Sequence, residues 1–269
     1  MDLKNSKYFY LNFFLLNFIF FLVVIFFFNF NGTGNVDVFL RWLQSAVDEG
    51  FINNYKKNNN DNYGPLATLF SYFLYNLTSF FLKDINLSLV LKLTQIIFFY
   101  CSVIIIYLYK KNIINSILFI IIFSTTALGH QDLDIIYCLF FLIAFYFLKN
   151  KNIPIFCFFY LLAIIVKWQP IIVVPILIIY ISDFYLNFFN IKLTLKNLNY
   201  KNILQASLIV LIFVSILFII FDFSSFYKSL GNAVNNERLA GNSFNFNWIC
   251  TWILQIINQD YYGQFNGTV

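Results

Sequence analysis

Apolar residues fill this chain in long unbroken blocks, the pattern of helices surrounded by lipid and not of half-exposed strands. Tyr8–Phe30 is the first block. Pro65–Leu82, Leu87–Tyr109, Ile113–Leu128, Leu133–Leu148, Ile153–Val166, Pro170–Phe189 and Ile203–Phe221 follow, and Trp248–Ile257 is a weaker, partial one. A crossing needs about 20 predominantly apolar residues. Three of the runs hold only 14 to 16, lengths that work where flanking lysines reach back to the interface. The pattern predicts an all-α, polytopic transmembrane helix bundle of about seven or eight spans, in a single domain over residues 1–269. Residues 1–30 read as a retained signal anchor, because Lys4 and Lys7 precede the apolar run and no small-residue cleavage site follows it. Residues 31–86 read as an outside loop with juxtamembrane helices, 87–222 as the helix bundle, and 223–269 as an outside loop plus a partial C-terminal helix.

One stretch of the first loop has a different period. Between Asn35 and Gly50, the residues Val36, Phe39, Leu40, Leu43 and Val47 recur at helical spacing, while Asp37, Arg41, Gln44 and Asp48 occupy the other side. Asn35 is a suitable N-cap and Gly50 a suitable stop. The segment predicts a short amphipathic helix lying on the membrane surface, with a carboxylate in its first turn.

Composition narrows the class. Hydrophobic residues make up 61% and charged residues 11%, with a mean hydropathy of +0.76. Soluble domains run at about 45–50% apolar and about 25% charged, so a disordered chain, a secreted disulfide scaffold and a nucleic-acid binder are all excluded. Phe (38), Tyr (18), Asn and Lys are heavily used, and only Arg41 and Arg238 among 17 basic residues are arginine. That bias is the mark of an AT-rich genome and makes phenylalanine stripes lipid-facing filler. Cys101, Cys138 and Cys157 lie inside apolar runs, Cys250 lies between tryptophans, and none forms a C-x-x-C pair, so they read as small buried hydrophobes.

The charges also give a topology, because lysine and arginine accumulate in short cytoplasmic loops. Lys4/Lys7, Lys110/Lys111, Lys149/Lys151 and Lys192/Lys196/Lys201 form four basic junctions. If all four face the cytoplasm, Asn31–Gly64, Gly129–Asp134, Lys167–Pro170 and Asp222–Asn247 face outside. Pro65–Tyr109 then crosses only once, and Pro65–Leu82 is the run that lies flat or dips, since it begins at a proline and carries Asn76, Thr78 and Ser79. The inside holds nine basic and two acidic residues, against eight basic and ten acidic outside. The net charge of +5 is therefore mostly topogenic lysine, and the chemistry is concentrated on the non-cytoplasmic face.

Four outside features could carry that chemistry. Asp37 is either a reactive carboxylate or a helix-dipole partner paired with Arg41 at i, i+4. Gly129-His-Gln-Asp-Leu-Asp134 holds two carboxylates and the only histidine; it is either an ordinary polar turn or a binding turn, with a divalent cation at Asp132 a further candidate. Lys167-Trp-Gln-Pro170 offers a snorkelling lysine and an interfacial tryptophan, or else a cation for a phosphate with Gln169 as a neutral donor. Tyr227–Asn247 is rich in amides suited to sugar hydroxyls, and Lys56–Asn62 reads as a solvated linker before Tyr63-Gly-Pro-Leu66. P-loop, dinucleotide-binding, Ser–His–Asp and H-E-x-x-H patterns are missing from the sequence, and one histidine excludes a multi-histidine metal centre.

Taken in order, these pieces resemble the GT-C superfamily of integral-membrane glycosyltransferases, closest to its bacterial branch of polyprenol-phosphate-mannose-dependent mannosyltransferases. The order and spacing carry the resemblance: an N-terminal anchor, Asp37-x-x-x-Arg-Trp42 in the first outside loop, Tyr63-Gly-Pro-Leu66, Gly129-His-Gln-Asp132, and Lys167-Trp-Gln-Pro170 followed by Pro175. Gly64 occupies a position that is usually proline in the family, and His130 one that is often glutamine. Family members are commonly longer, so a shortened or fragmentary member is expected. The resemblance implies a transferase that moves a hexose, mannose above all, from a polyprenyl-phosphate-sugar donor to a lipid or glycan hydroxyl at the outer face of a membrane. It implies Asp37 as general base, and Lys167 with Arg41 for the donor phosphate. Asp132 would orient the acceptor or hold a metal, with Tyr63, His130, Gln131 and Gln169 as further substrate contacts. The competing expectation is a non-catalytic scaffold or a lipid or polysaccharide transporter on the same fold.

Overall fold

The computed structural model describes residues 3–32, 35–58, 63–82, 85–183 and 198–234. These residues form eleven α-helices: α1 (Leu3–Phe27), α2 (Asn35–Glu49), α3 (Phe51–Asn58), α4 (Leu69–Ser79), α5 (Leu87–Lys110), α6 (Ile113–Ser124), α7 (Asp134–Lys149), α8 (Ile153–Val166), α9 (Val174–Ile181), α10 (Tyr200–Phe221) and α11 (Phe223–Val234). A π-turn, Thr125–Gly129, closes α6, and a 3-10 turn, Gln169–Val173, opens α9. The expected run Trp248–Ile257 and the amides beyond Val234 lie outside the described residues.

Several asparagines that codon usage alone would explain have a structural task. The side chains of Asn86, Asn112, Asn152 and Asn199 accept backbone N–H bonds from Ser88, Ile114, Ile155 and Asn202, so α5, α6, α8 and α10 all begin at an asparagine cap. At the end of α2, Gly50 takes the left-handed conformation (φ 84°) that stops a helix, as its position in the sequence predicts.

Among the described residues three helices are long and apolar enough to cross a membrane by themselves: α1 over Phe9–Phe27, α5 and α10. Of the remaining runs, the parts within the described residues fold as shorter helices. At 1.5 Å per residue, the 16 residues of α7 and the 14 of α8 reach about 21–24 Å, against a hydrocarbon core of about 30 Å. The Pro65–Leu82 run yields only the 11-residue α4, too short to cross. Its polar side chains turn back on their own helix: Asn76 donates to the Tyr72 carbonyl, Thr78 to Leu74 and Ser79 to Asn76. Phe73, Leu77, Phe80 and Phe81 stay exposed. That internal satisfaction suits a helix with little water around it.

The bundle is organised around α7, which packs against α8 on one side and α5 on the other. Beyond them, α10 lies on α8, α6 lies between α5 and α1, and α4 packs on α5. The core is aromatic: Phe70 meets Phe98 (4.8 Å between ring centres) and Phe140 (5.6 Å), and Phe20 of α1 meets Phe99 and Tyr100 of α5. A polar contact joins the first helix to the rest, with Tyr100 donating to the Asn17 side chain at 2.6 Å. Between apolar helices such a bond adds about 0.6–2 kcal/mol.

The amphipathic α2 corrects one expectation. Its apolar residues Val36, Phe39, Leu43 and Ala46 are buried, and they face α3, α4 and α5, so protein and not the membrane surface covers this stripe. Lys56 and Lys57, which the sequence places in a linker, belong to α3 and pair with Asp222 and Glu49. Segments 63–66, 129–134, 167–170 and 222–229 gather at one end of the bundle, while the ammonium groups of Lys110 and Lys149 both lie against the Tyr109 ring at the other ends of α5 and α7.

Candidate functional site

The polar end is built on a backbone contact between two distant segments. Tyr63 and Lys167 form an isolated antiparallel bridge. Gly64 N–H donates to the Val166 carbonyl at 3.0 Å and Leu66 N–H to the Ile165 carbonyl at 3.3 Å. A Cβ on residue 64 would overlap the Ile165 carbonyl. Glycine is therefore required where the resembled family usually has proline, which could neither donate this bond nor fit the space.

The bridge sets Tyr63 and Lys167 beside the start of α7. The Lys167 ammonium donates to both carboxylate oxygens of Asp134, at 2.5 and 2.7 Å, and the Tyr63 hydroxyl donates to Oδ1 at 3.0 Å. The same ammonium lies 5.0 Å from the centre of the Tyr63 ring and 5.9 Å from that of Tyr137. The side chain of Lys167 is 11% exposed and that of Asp134 35%, so the pair is shielded on the lysine side and wetted on the carboxylate side. As the first residue of α7, Asp134 also faces the positive end of a helix dipole. Burial, followed by the charges of Asp134 and Asp132, holds the Tyr63 hydroxyl well above its ordinary value. It remains a protonated donor throughout the physiological range.

A second layer holds this cluster in place. The buried Trp168 indole N–H donates to Ser229 Oγ (3.2 Å), and that hydroxyl donates to the Tyr63 carbonyl (3.2 Å). Ser229→Ala leaves the indole N–H without its acceptor, at a cost of about 1–3 kcal/mol. Thermal unfolding of the full chain in detergent is expected to move down accordingly, with helical content unchanged at low temperature.

The turn between α6 and α7 connects this cluster to the start of α2. Its first half is fastened to the end of α1: the Gln131 amide donates to the Phe30 carbonyl (2.7 Å), and the Gln95 amide donates to the Gln131 carbonyl (2.5 Å). Lys92 donates to the Phe28 and Phe30 carbonyls (2.6 and 2.8 Å). Gly32 is wedged between Val36 and the His130–Gln131 backbone, so the first turn of α2 sits against this half. Asp132 and Asp134 in the second half face Tyr63.

The predicted residues thus fall into two groups. Tyr63, Asp132 and Lys167 come together around Asp134. Asp37 and Arg41 lie exposed on α2, away from the Phe39–Trp42 flank that packs on the Tyr63 ring at 5.6 and 5.8 Å. They do not form the i, i+4 ion pair; Arg41 Nε donates to the Asp37 backbone carbonyl instead, at 3.3 Å. His130 and Gln169 are exposed at the same end, and Gln131 is buried with its amide committed to Phe30. Among the described residues no group of three or more His, Cys, Asp or Glu side chains converges, so the cation considered for Asp132 has no completed donor set. Sequence reasoning named Asp134 only as the second carboxylate of its turn and Trp168 only as an interfacial anchor, and it missed Tyr137, Ser229 and Gln95. The one available signal was Asp134 opening an apolar run in the same turn as Asp132. Comparison of the chain with known protein families, curated proteins and solved structures gives no match.

Proposed function

We propose that this chain is a multi-pass membrane glycosyltransferase, built on about seven or eight crossings, that takes a hexose from a polyprenyl-phosphate-sugar and passes it to a hydroxyl of a lipid or glycan acceptor. The observation that carries the reading is the 129–134 turn. One half lies across Gly32 from Val36, the residue before Asp37 in α2, and the other half faces Tyr63 and Lys167. Four motifs widely spaced in sequence therefore serve one end of the bundle.

The chemistry needs few groups. A lipid phosphate is a good leaving group and calls for a cation but no general acid. Lys167 has three N–H bonds, of which two go to Asp134, leaving one for a donor phosphate oxygen. In this reading the exposed carboxylate of Asp37 takes the proton from the acceptor hydroxyl, Asp132 orients that acceptor, Arg41 joins Lys167 on the donor phosphate, and Tyr63, His130 and Gln169 are further substrate contacts. The sugar is transferred in a single displacement with inversion. The bundle sits in a bacterial plasma membrane, or in the endoplasmic reticulum if the source is eukaryotic, with the polar end on the non-cytoplasmic side.

Asp37→Asn is expected to lower turnover by about 10²–10⁴, the usual contribution of a general base. Its melting temperature should move only slightly, because Asp37 takes part in none of the ion pairs among the described residues and its first-turn charge adds only about 0.3–1 kcal/mol to α2. Asp132→Asn should raise the acceptor KM more than it lowers kcat. Equal turnover in Asp37→Asn and wild type removes the assigned base. One observation favours a second reading, a non-catalytic scaffold on the same fold: Asp134 already neutralises Lys167. Its signature is a stable, correctly inserted wild type that gives no product.

A further inference from the structure

We infer that the end of the bundle opposite the candidate site holds a phosphate group between Lys110 and Lys149. The inference is independent of the glycosyltransferase reading. Lys110 ends α5 and Lys149 ends α7, and their ammonium groups lie 4.9 and 4.6 Å from the centre of the same ring, that of Tyr109. Two like charges are thus held over one side chain. An edge-on Tyr146, 5.9 Å away, braces that ring. Lys111 and Lys151 follow immediately, so two neighbouring helix ends present four exposed lysines together.

Neither a carboxylate nor a helix end accounts for the arrangement. Among the described residues the ion pairs are Lys56–Asp222, Lys57–Glu49 and Lys167–Asp134, and none involves these lysines. At these helix ends backbone N–H groups, not the lysine side chains, bond the carbonyls: Lys111 donates to Tyr107, Asn150 to Tyr146 and Lys151 to Leu148. The ammonium groups are therefore not consumed in capping. An aromatic face attracts a cation but accepts no ordinary hydrogen bond from it, so the N–H bonds of both lysines remain for an anion with several acceptor oxygens. A phosphate fits, taking charge-assisted bonds from both sides and relieving the repulsion between them. Basic clusters between helix ends at a membrane face recognise anionic headgroups in this way. At about 1.5 Å per residue along α7, the cluster lies about 22 Å from Asp134. It is a separate site, and its ligand is either an anionic lipid headgroup or free phosphate.

The test uses the full chain purified in detergent, titrated separately with phosphatidylglycerol, phosphatidylcholine and inorganic phosphate, with bound ligand read by native mass spectrometry and by thermal shift. Saturable binding of phosphatidylglycerol but not phosphatidylcholine is expected, weakened roughly tenfold or more in Lys110→Gln/Lys149→Gln. Binding should persist in Lys110→Arg/Lys149→Arg, which keeps both charges and serves as the folding control. Tyr109→Leu should weaken binding while keeping the charge. If inorganic phosphate saturates the site and phosphatidylglycerol does not, the phosphate-site assignment stands with free phosphate as its source. Equal phosphatidylglycerol affinity in the double glutamine variant and wild type, or no binding of either anion by wild type, overturns it.

Discussion

Gly64→Ala is expected to cost about 3 kcal/mol or more, at or beyond the top of the range for overpacked positions. The added methyl group overlaps a backbone carbonyl, that of Ile165, and a carbonyl cannot rotate aside as a side chain can. The Tyr63–Lys167 bridge must open to admit it, and the contacts of both residues with Asp134 loosen with it. Gly64→Pro should be worse, since it also removes the N–H that binds Val166. Gly50→Ala is the control. That glycine has a positive φ and open space where a Cβ would point, so alanine there costs only the left-handed backbone, about 1–2 kcal/mol. Apparent melting temperatures of the three variants in one detergent should fall in the order Gly50→Ala, Gly64→Ala, Gly64→Pro, the last being lowest. A Gly64→Ala protein as stable as wild type contradicts the bridge.

The second large effect is an asymmetry at the ion pair. Asp134→Ala strands Lys167, whose side chain is only 11% exposed, whereas Lys167→Met leaves Asp134 at 35% exposure, where water can solvate it. Breaking a buried pair costs about 3–5 kcal/mol, and solvent screening reduces that on the exposed side. Asp134→Ala is therefore expected to cost about 2–4 kcal/mol and Lys167→Met about 1–2 kcal/mol. Asp134→Ala also removes the acceptor of the Tyr63 hydroxyl. Asp134→Leu combined with Lys167→Met should recover part of the loss, as apolar replacement of buried pairs commonly does. Equal effects of the two single variants would mean that both charges see the same solvent.

Long-period features are legible in the sequence. The runs that form α1, α5, α8 and α10 have apolar blocks whose ends match the helices within a few residues, and the stripe and stop of α2 are readable from spacing alone. What pattern cannot supply is the identity of the partner. The stripe of α2 predicts something apolar opposite it, and only the tertiary structure distinguishes α4 and α5 from lipid. Asp132 and Asp134 differ little in sequence context; what selects Asp134 as the partner of Lys167 is its position in the first turn of α7, opposite the bridge. Gly64 stands in the sequence as a departure from a family pattern, and its necessity appears only when Val166 is placed across from it. The proline-containing run from Pro170 reads as one helix, but the structure opens it with a 3-10 turn before α9, with Tyr160 donating to the Pro170 carbonyl at 2.5 Å.

The central claim is transfer of a sugar from a lipid phosphate at the polar end. Its most direct test is the purified full chain in sealed liposomes, given labelled polyprenyl-phosphate-mannose and total lipid and glycan acceptors, with product followed over time. The reading predicts a labelled product in wild type, at least about 100-fold less in Asp37→Asn, and loss of donor saturation in Lys167→Gln. No product from a folded, inserted wild type with either mannose or other hexose donors, or equal product from all three proteins, contradicts it.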